Sequence, residues 1–152
     1  MIDRERLNEY LNDIAKQLRD LRKLPVPGAE YLLDEKNFER RKAVERSLEL
    51  AIQDVVHIST HICAALGLER VTDDAADTIL ALGRHDIIPL DFAERIRATV
   101  GLRNRLAHEY LPSEFDIRKL YENLSSLDDF REFSQHIVGF LEKQAREADR
   151  RG

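Results

Sequence analysis

The chain is expected to be all-α, an antiparallel up-and-down bundle of about five helices. Three observations predict this. Apolar residues recur at alternating spacings of four and three over long stretches, the seam of a packed helix. The 152 residues include only 6 Gly and 4 Pro, and long runs have neither. No stretch alternates apolar and polar residues at period two with β-branched side chains. The length is that of one domain, 1–152, with a charged tail from about 143 that is expected to fray.

The first helix lies between Asp3 and Leu24, with Leu7, Leu11, Ile14, Leu18 and Leu21 as its seam. Pro25, Pro27 and Gly28 end it in a turn. A second helix starts between Glu30 and Lys36 and runs to about Leu66. Its seam is Val44, Leu48, Ala51, Val55, Ile58, Ile62 and Ala65, with Leu50, Ile52 and Val56 beside it. Such a broad apolar surface marks a central helix, and Gly67 suits its C-cap. Thr72, Asp73 or Asp74 is the N-cap candidate for a short helix that carries Ala76, Ile79, Leu80 and Leu82 and ends near Gly83.

Ile87-Ile88-Pro89 leads into a helix from Pro89 or Leu90 to Leu106. The last helix follows Pro112, with Ser113 and Asp116 as a capping box in which Asp replaces the usual Glu. Its apolar face is Ile117, Leu120, Leu124, Leu127, Ile137 and Leu141, and Ser125-Ser126 is a candidate interruption.

Composition excludes several functions. The net charge of −5 argues against a protein that coats nucleic acid with a broad basic surface. No apolar run reaches the ~18 residues of a membrane span, and the charged opening MIDRERLNEY lacks the core of a secretory signal. The lone Cys63 allows no internal disulfide and reads as a small buried hydrophobe. A cytoplasmic protein is the expectation. No phosphate-binding glycine loop of either common type occurs, so no cofactor is expected. His57 and His61 share a helix face with Asp54 one turn away. The catalytic glutamate of H-E-x-x-H is absent, so packing or interface hydrogen bonds are preferred over a metal. His85 and His136 read as isolated and exposed.

The helix before Pro112 departs from the pattern. Its stripe is Phe92, Ile96 and Val100, and Arg103 falls about 20° from Phe92 around the axis. An arginine in an apolar line forms an ion pair, ends in a solvated cleft or binds an anion. His108 lies about 140° further round, so it converges with Arg103 only if the backbone leaves the helix near Ala107. At a helix C-terminus a histidine either caps the last carbonyls or, with its charged form favoured, moves protons near neutral pH. Arg95, Arg97, Arg103 and Arg105 do not share one face. Two copies would still make a modest basic patch, with Arg105 a candidate contact for a polyanion. Taken singly, Arg95 and Arg97 read as a solvated flank.

The string Arg103-Asn104-Arg105-Leu106-Ala107-His108-Glu109-Tyr110 reads R-N-x-x-x-H-x-Y. It resembles the R-x4-H-x-Y signature of HEPN-domain proteins and, more narrowly, of HepT toxins in HEPN–MNT toxin–antitoxin systems. The long helix ERSLELAIQDVVHISTHICAALGL, the Ile87-Ile88-Pro89 entry and the leucine-rich last helix add to the resemblance, which covers roughly Arg40 to Leu141.

The resemblance implies a metal-independent endoribonuclease, the toxin of a type VII pair, acting on cellular RNA. His108 would be catalytic, Arg103 would hold the scissile phosphate and Asn104 would orient the site. It implies a homodimer in which two motifs line one cleft, the stripe of Phe92, Ile96 and Val100 being an interface that opens onto the site. It also implies that a minimal nucleotidyltransferase antitoxin neutralises the toxin by transferring AMP onto Tyr110. Two other readings stand beside this one. The first is a non-catalytic HEPN subunit that presents nucleotide or nucleic acid to a nucleotidyltransferase. The second is a structural bundle in which Arg103 merely pairs with an acid.

Overall fold

The computed structural model describes residues 1–69, 74–108 and 113–151, with the backbone alone for 102–108. Seven α-helices occur among the described residues: α1 (Arg4–Arg22), α2 (Ala29–Leu33), α3 (Phe38–Leu66), α4 (Asp77–Arg84), α5 (Leu90–His108), α6 (Glu114–Leu124) and α7 (Asp128–Arg151). There is no strand among them. The all-α expectation holds, but the count of five does not.

Both extra helices arise from side chains that compete with helical hydrogen bonding. Asp34 leaves helical geometry and accepts from the Lys36 amide at 3.0 Å, separating α2 from a 3-10 turn (Glu35–Asn37) that feeds α3. The Ser125 hydroxyl turns back to the Glu122 carbonyl at 2.7 Å, dividing α6 from α7 at the Ser125-Ser126 step. The charged tail is helical, since α7 extends through Arg151.

The longest pair is α1 against α3. Asp3 meets His61, and Tyr10 meets His57, so the two helices run antiparallel. The seams of α1 and α3 are buried as predicted from Leu7 to Leu21 and from Val44 to Ile62, while Ala65 is half-buried. Gly67 adopts φ +64° and ends α3, with the Leu68 amide bonded to the Cys63 carbonyl at 2.9 Å. Cys63 is buried and its thiol lies 3.5 Å from the Thr78 carbonyl.

The helix α7 closes the bundle with Phe130 and Phe133, two core rings beyond the predicted apolar face. Arg4 of α1 donates to the Leu141 carbonyl of α7 at 3.0 Å. No helix among the described residues is long and apolar enough to cross a membrane.

Candidate functional site

The segment that carries the motif is α5, and its first half is held on two sides. The chain reverses between α4 and α5 in five residues. Asp86 takes a left-handed φ of 57°, while the Asp86 and Ile87 amides bond the Gly83 and Leu82 carbonyls. The helix expected to end near Gly83 ends at Arg84, and Gly83 faces α5. A Cβ there would lie 2.7 Å from Ala93 Cβ and 3.2 Å from Leu90 Cα. Asp74 accepts from the Ala76 amide at 3.0 Å and so caps the turn leading into α4. The other cap candidates, Thr72 and Asp73, lie outside the described residues.

Ion pairs then set the register of α5. Arg97 donates from Nε and Nη2 to Asp77 Oδ1 at 3.2 and 3.1 Å, with Asp74 at 3.6 Å. Arg95 lies 5.1 Å over the Phe92 ring and reaches Asp129 at 3.4 Å and Glu132 at 3.6 Å on α7. Arg95 stays on a solvated flank, as expected, while Arg97 is half-buried, and neither adds net charge to a basic patch because each is matched by acids. His136 is not isolated. It is half-buried, 5.2 Å from the Phe92 ring and 3.4 Å from Glu132. His85 is exposed.

Phe92, Ile96 and Val100 are buried in the core of this chain. The expectation that this stripe is a subunit interface is therefore corrected, since the chain's own helices cover it.

Arg103, Asn104, Arg105 and His108 occupy the last two turns of α5. Their side chains, and Tyr110 entirely, lie outside the described residues. The backbone is helical through His108, two residues beyond the predicted end. A departure near Ala107 is thus overturned, and positions 103 and 108 stay about 140° apart around the axis. Immediately beyond, Ser113 caps α6. Its Oγ accepts from the Asp116 amide at 3.2 Å and donates to Asp116 Oδ2 at 2.9 Å, the predicted capping box.

The histidine pair on α3 is used for packing. The Asp3 amide donates to His61 Nε2 at 3.0 Å, and the His57 ring lies 5.2 Å from that of Tyr10. Among the described residues no three His, Cys, Asp or Glu side chains are grouped to hold a metal ion. Asp54 is only 7% exposed and its Oδ2 lacks a hydrogen-bond partner. Burial first, then hydrogen bonding with Asp13 of α1 and its charge, push the Asp54 carboxyl up to about 8. The signal available in sequence was an aspartate between Ile52 and Val55 on an apolar helix.

Comparison with known proteins places this arrangement. The family model described as Ribonuclease HepT-like matches residues 7–137. A tRNA nuclease HepT from Aphanizomenon flos-aquae is 28% identical over 106 residues, 69% of this chain and 70% of that protein. A protein of Archaeoglobus fulgidus, provisionally named an RNase, is 32% identical over 106 residues, 70% of this chain and 77% of its own length. The fold is shared with a tri-AMPylated HEPN toxin of Shewanella oneidensis solved in complex with an MNT antitoxin. The TM-score is 0.76 at 21% identity, over 91% of this chain and 99% of that one. It is shared also with YutE, a cytosolic Bacillus subtilis protein of unknown function, at TM-score 0.73 and 15% identity over 94% and 93%. At these identities the two structures speak for the fold, while the match over residues 7–137 speaks for descent, and the chain belongs to the Ribonuclease HepT-like family.

Proposed function

We propose that this chain is the toxin of a type VII toxin–antitoxin pair, an endoribonuclease that cuts cellular RNA in the cytoplasm without a metal ion. The observation that carries the reading is the sequence string Arg103-Asn104-x-x-x-His108-x-Tyr110, whose first six residues close α5, inside a chain of the HepT-like family. Transfer RNA is the first substrate to try, because a relative 28% identical is named as a tRNA nuclease.

The chemistry asks for few groups. His108, as a neutral imidazole, takes the proton of a ribose 2′-OH. The 2′-oxygen attacks the adjacent phosphorus, the bond to the 5′-oxygen breaks, and that oxygen leaves with a proton from imidazolium or water. The products are a 2′,3′-cyclic phosphate and a 5′-hydroxyl. Arg103 neutralises the charge that grows on the phosphoryl oxygens with a planar, permanently charged fork. Asn104 orients the site, and Arg105 contacts RNA. DNA lacks the attacking 2′-OH and is not cut.

A homodimer completes the site. Positions 103 and 108 are well apart on one uninterrupted helix, so two copies facing each other supply arginine and histidine to a common cleft. Because Phe92, Ile96 and Val100 are spent on the core, the dimer uses other surface of α5 and its neighbours. The antitoxin is a minimal nucleotidyltransferase. The Tyr110 oxygen attacks the α-phosphorus of ATP, AMP becomes attached and pyrophosphate leaves. The added phosphate then occupies ground that substrate phosphate needs.

The test is cleavage of bulk RNA by the purified chain and by His108→Ala, in EDTA, with the intact mass of both recorded. Cutting in EDTA that is lost in the variant supports the nuclease. No cutting by protein of unmodified mass moves the weight to the non-catalytic HEPN subunit. No cutting by protein heavier by AMP units identifies a preparation that is already neutralised.

A further inference from the structure

Two exposed aromatic rings occur among the described residues, and each is built the same way. Phe38 is the first residue of α3, is 48% exposed and has Lys42 one turn on, 5.4 Å from the ring centre, with Arg41 at 5.2 Å. Phe115 lies in the first turn of α6, is 62% exposed and has Lys119 one turn on, at 5.5 Å. A single exposed phenylalanine needs no explanation. A repeated pairing of ring and cation at one end of a bundle does.

Both rings belong to the end where α5 terminates. Four residues lie between His108 and Ser113, the cap of α6, so the five steps along the chain reach at most about 18 Å. Arg118 of α6 reaches Glu30 of α2 at 2.7 Å. Asn37, which precedes Phe38, donates to the Tyr31 carbonyl of α2 at 2.9 Å. The short helix α2 therefore ties the first turn of α3 to α6. Around Phe38 lie Lys36, Arg40, Arg41, Lys42 and Arg46, of which Arg41 and Lys42 share Glu45 and Arg46 meets Glu49.

We infer that Phe115 and Phe38, each with the lysine one turn on, form a platform that stacks unpaired bases of the RNA, with Lys119 and Lys42 taking flanking phosphates. The inference rests on the ribonuclease reading and gives its substrate class: single-stranded or loop RNA. A ring stacks only on a base already out of a duplex, and stacking tolerates any base. The lysines now meet Glu122 at 3.0 Å and Glu45 at 3.3 Å. The Lys119–Glu122 pair is exposed and weak, so a phosphate displaces it readily, while Glu45 is only 18% exposed and also faces Arg41.

Binding of a fluorescein-labelled, unstructured oligoribonucleotide is measured by anisotropy in a His108→Ala background, so that nothing is cut, beside a hairpin duplex of the same composition. Phe115→Ala and Phe38→Ala are each expected to weaken the unstructured RNA by about 5- to 100-fold. The corresponding Trp variants restore it, and affinity for the duplex is unchanged. Lys119→Gln and Lys42→Gln reduce the salt dependence of binding. Alanine variants that keep their helicity and bind RNA like the parent overturn the inference. So does loss of self-association or of antitoxin binding with RNA affinity intact, which assigns the rings to a protein interface. If the wild type cuts no RNA yet binds it through the rings, the platform stands and the nuclease reading falls.

Discussion

Asp54 of α3 is buried against Asp13 of α1, carboxyl to carboxyl, at the middle of the longest helix pair. Gln17 donates to Asp13 Oδ1 at 3.3 Å, and His57, one turn along α3, is turned to Tyr10. Asp13 is the one charged group acting on Asp54 among the described residues. The folded chain holds the Asp54 proton up to about 8, whereas an unfolded chain releases it near 3.9. Between those values the folded state binds more protons, so this group's stabilisation is complete below about pH 4 and lost as pH rises through about 8. Thermal unfolding from pH 5 to 9 should show stability falling with pH. Asp54→Asn keeps a donor toward Asp13 and should flatten that slope, with a gain of at least about 1 kcal/mol at pH 8. Parallel slopes for the two proteins would refute the shared proton.

Gly83 allows α4 and α5 to touch. Adding one methyl group places it 2.7 Å from Ala93 Cβ, and the backbone at Leu90 leaves no room to retreat. Gly83→Ala should cost about 1–3 kcal/mol by overpacking, although alanine is the better helix former. A denaturation midpoint equal to that of the wild type would show that the two helices separate freely.

Arg97 is a structural arginine in this arrangement, because its Nε and Nη2 both donate to Asp77. The pair is partly open to solvent, so Arg97→Met should cost about 1–2 kcal/mol. Its affinity for RNA should stay at the wild-type level. A variant of unchanged stability that binds RNA tenfold more weakly would return Arg97 to the nucleic-acid surface.

In the proposed dimer, the uninterrupted helix through His108 puts the Arg103 and His108 of one working site on opposite copies. Arg103→Ala and His108→Ala should each abolish cleavage with the fold retained. Unfolded and refolded together in equal amounts, they should recover up to about a quarter of wild-type activity. Half the dimers are then mixed, and each mixed dimer holds one complete arginine–histidine pair from opposite copies. No recovery, with mixed dimers verified by mass, would place both residues of a working site in one chain.

Much of the fold is legible along the chain because helix burial is periodic. The seams Leu7 to Leu21 and Val44 to Ile62 are buried, Gly67 caps α3, and Ser113 caps α6 with Asp116. The interruption at Ser125-Ser126 is legible and is found there, whereas the break at Asp34 is not, since a residue that competes with helical hydrogen bonding marks a break only when the tertiary path needs one. Phe130 and Phe133 lie outside the predicted face because that face was followed through leucine and isoleucine alone. For the candidate site, the identity of the motif is a matter of residue order, and Arg103, His108 and Tyr110 are read directly from it.

Sequence by itself determined the all-α class, the positions of the main helices and the motif that marks the family, because these depend on residue type at fixed local spacing. Tertiary structure alone decided that Phe92, Ile96 and Val100 face inward, that Arg95 and Arg97 are consumed by acids on α7 and α4, and that Asp54 meets Asp13. Such pairings join residues distant in sequence, and periodicity within one helix cannot say which neighbour its stripe, or its charge, will meet.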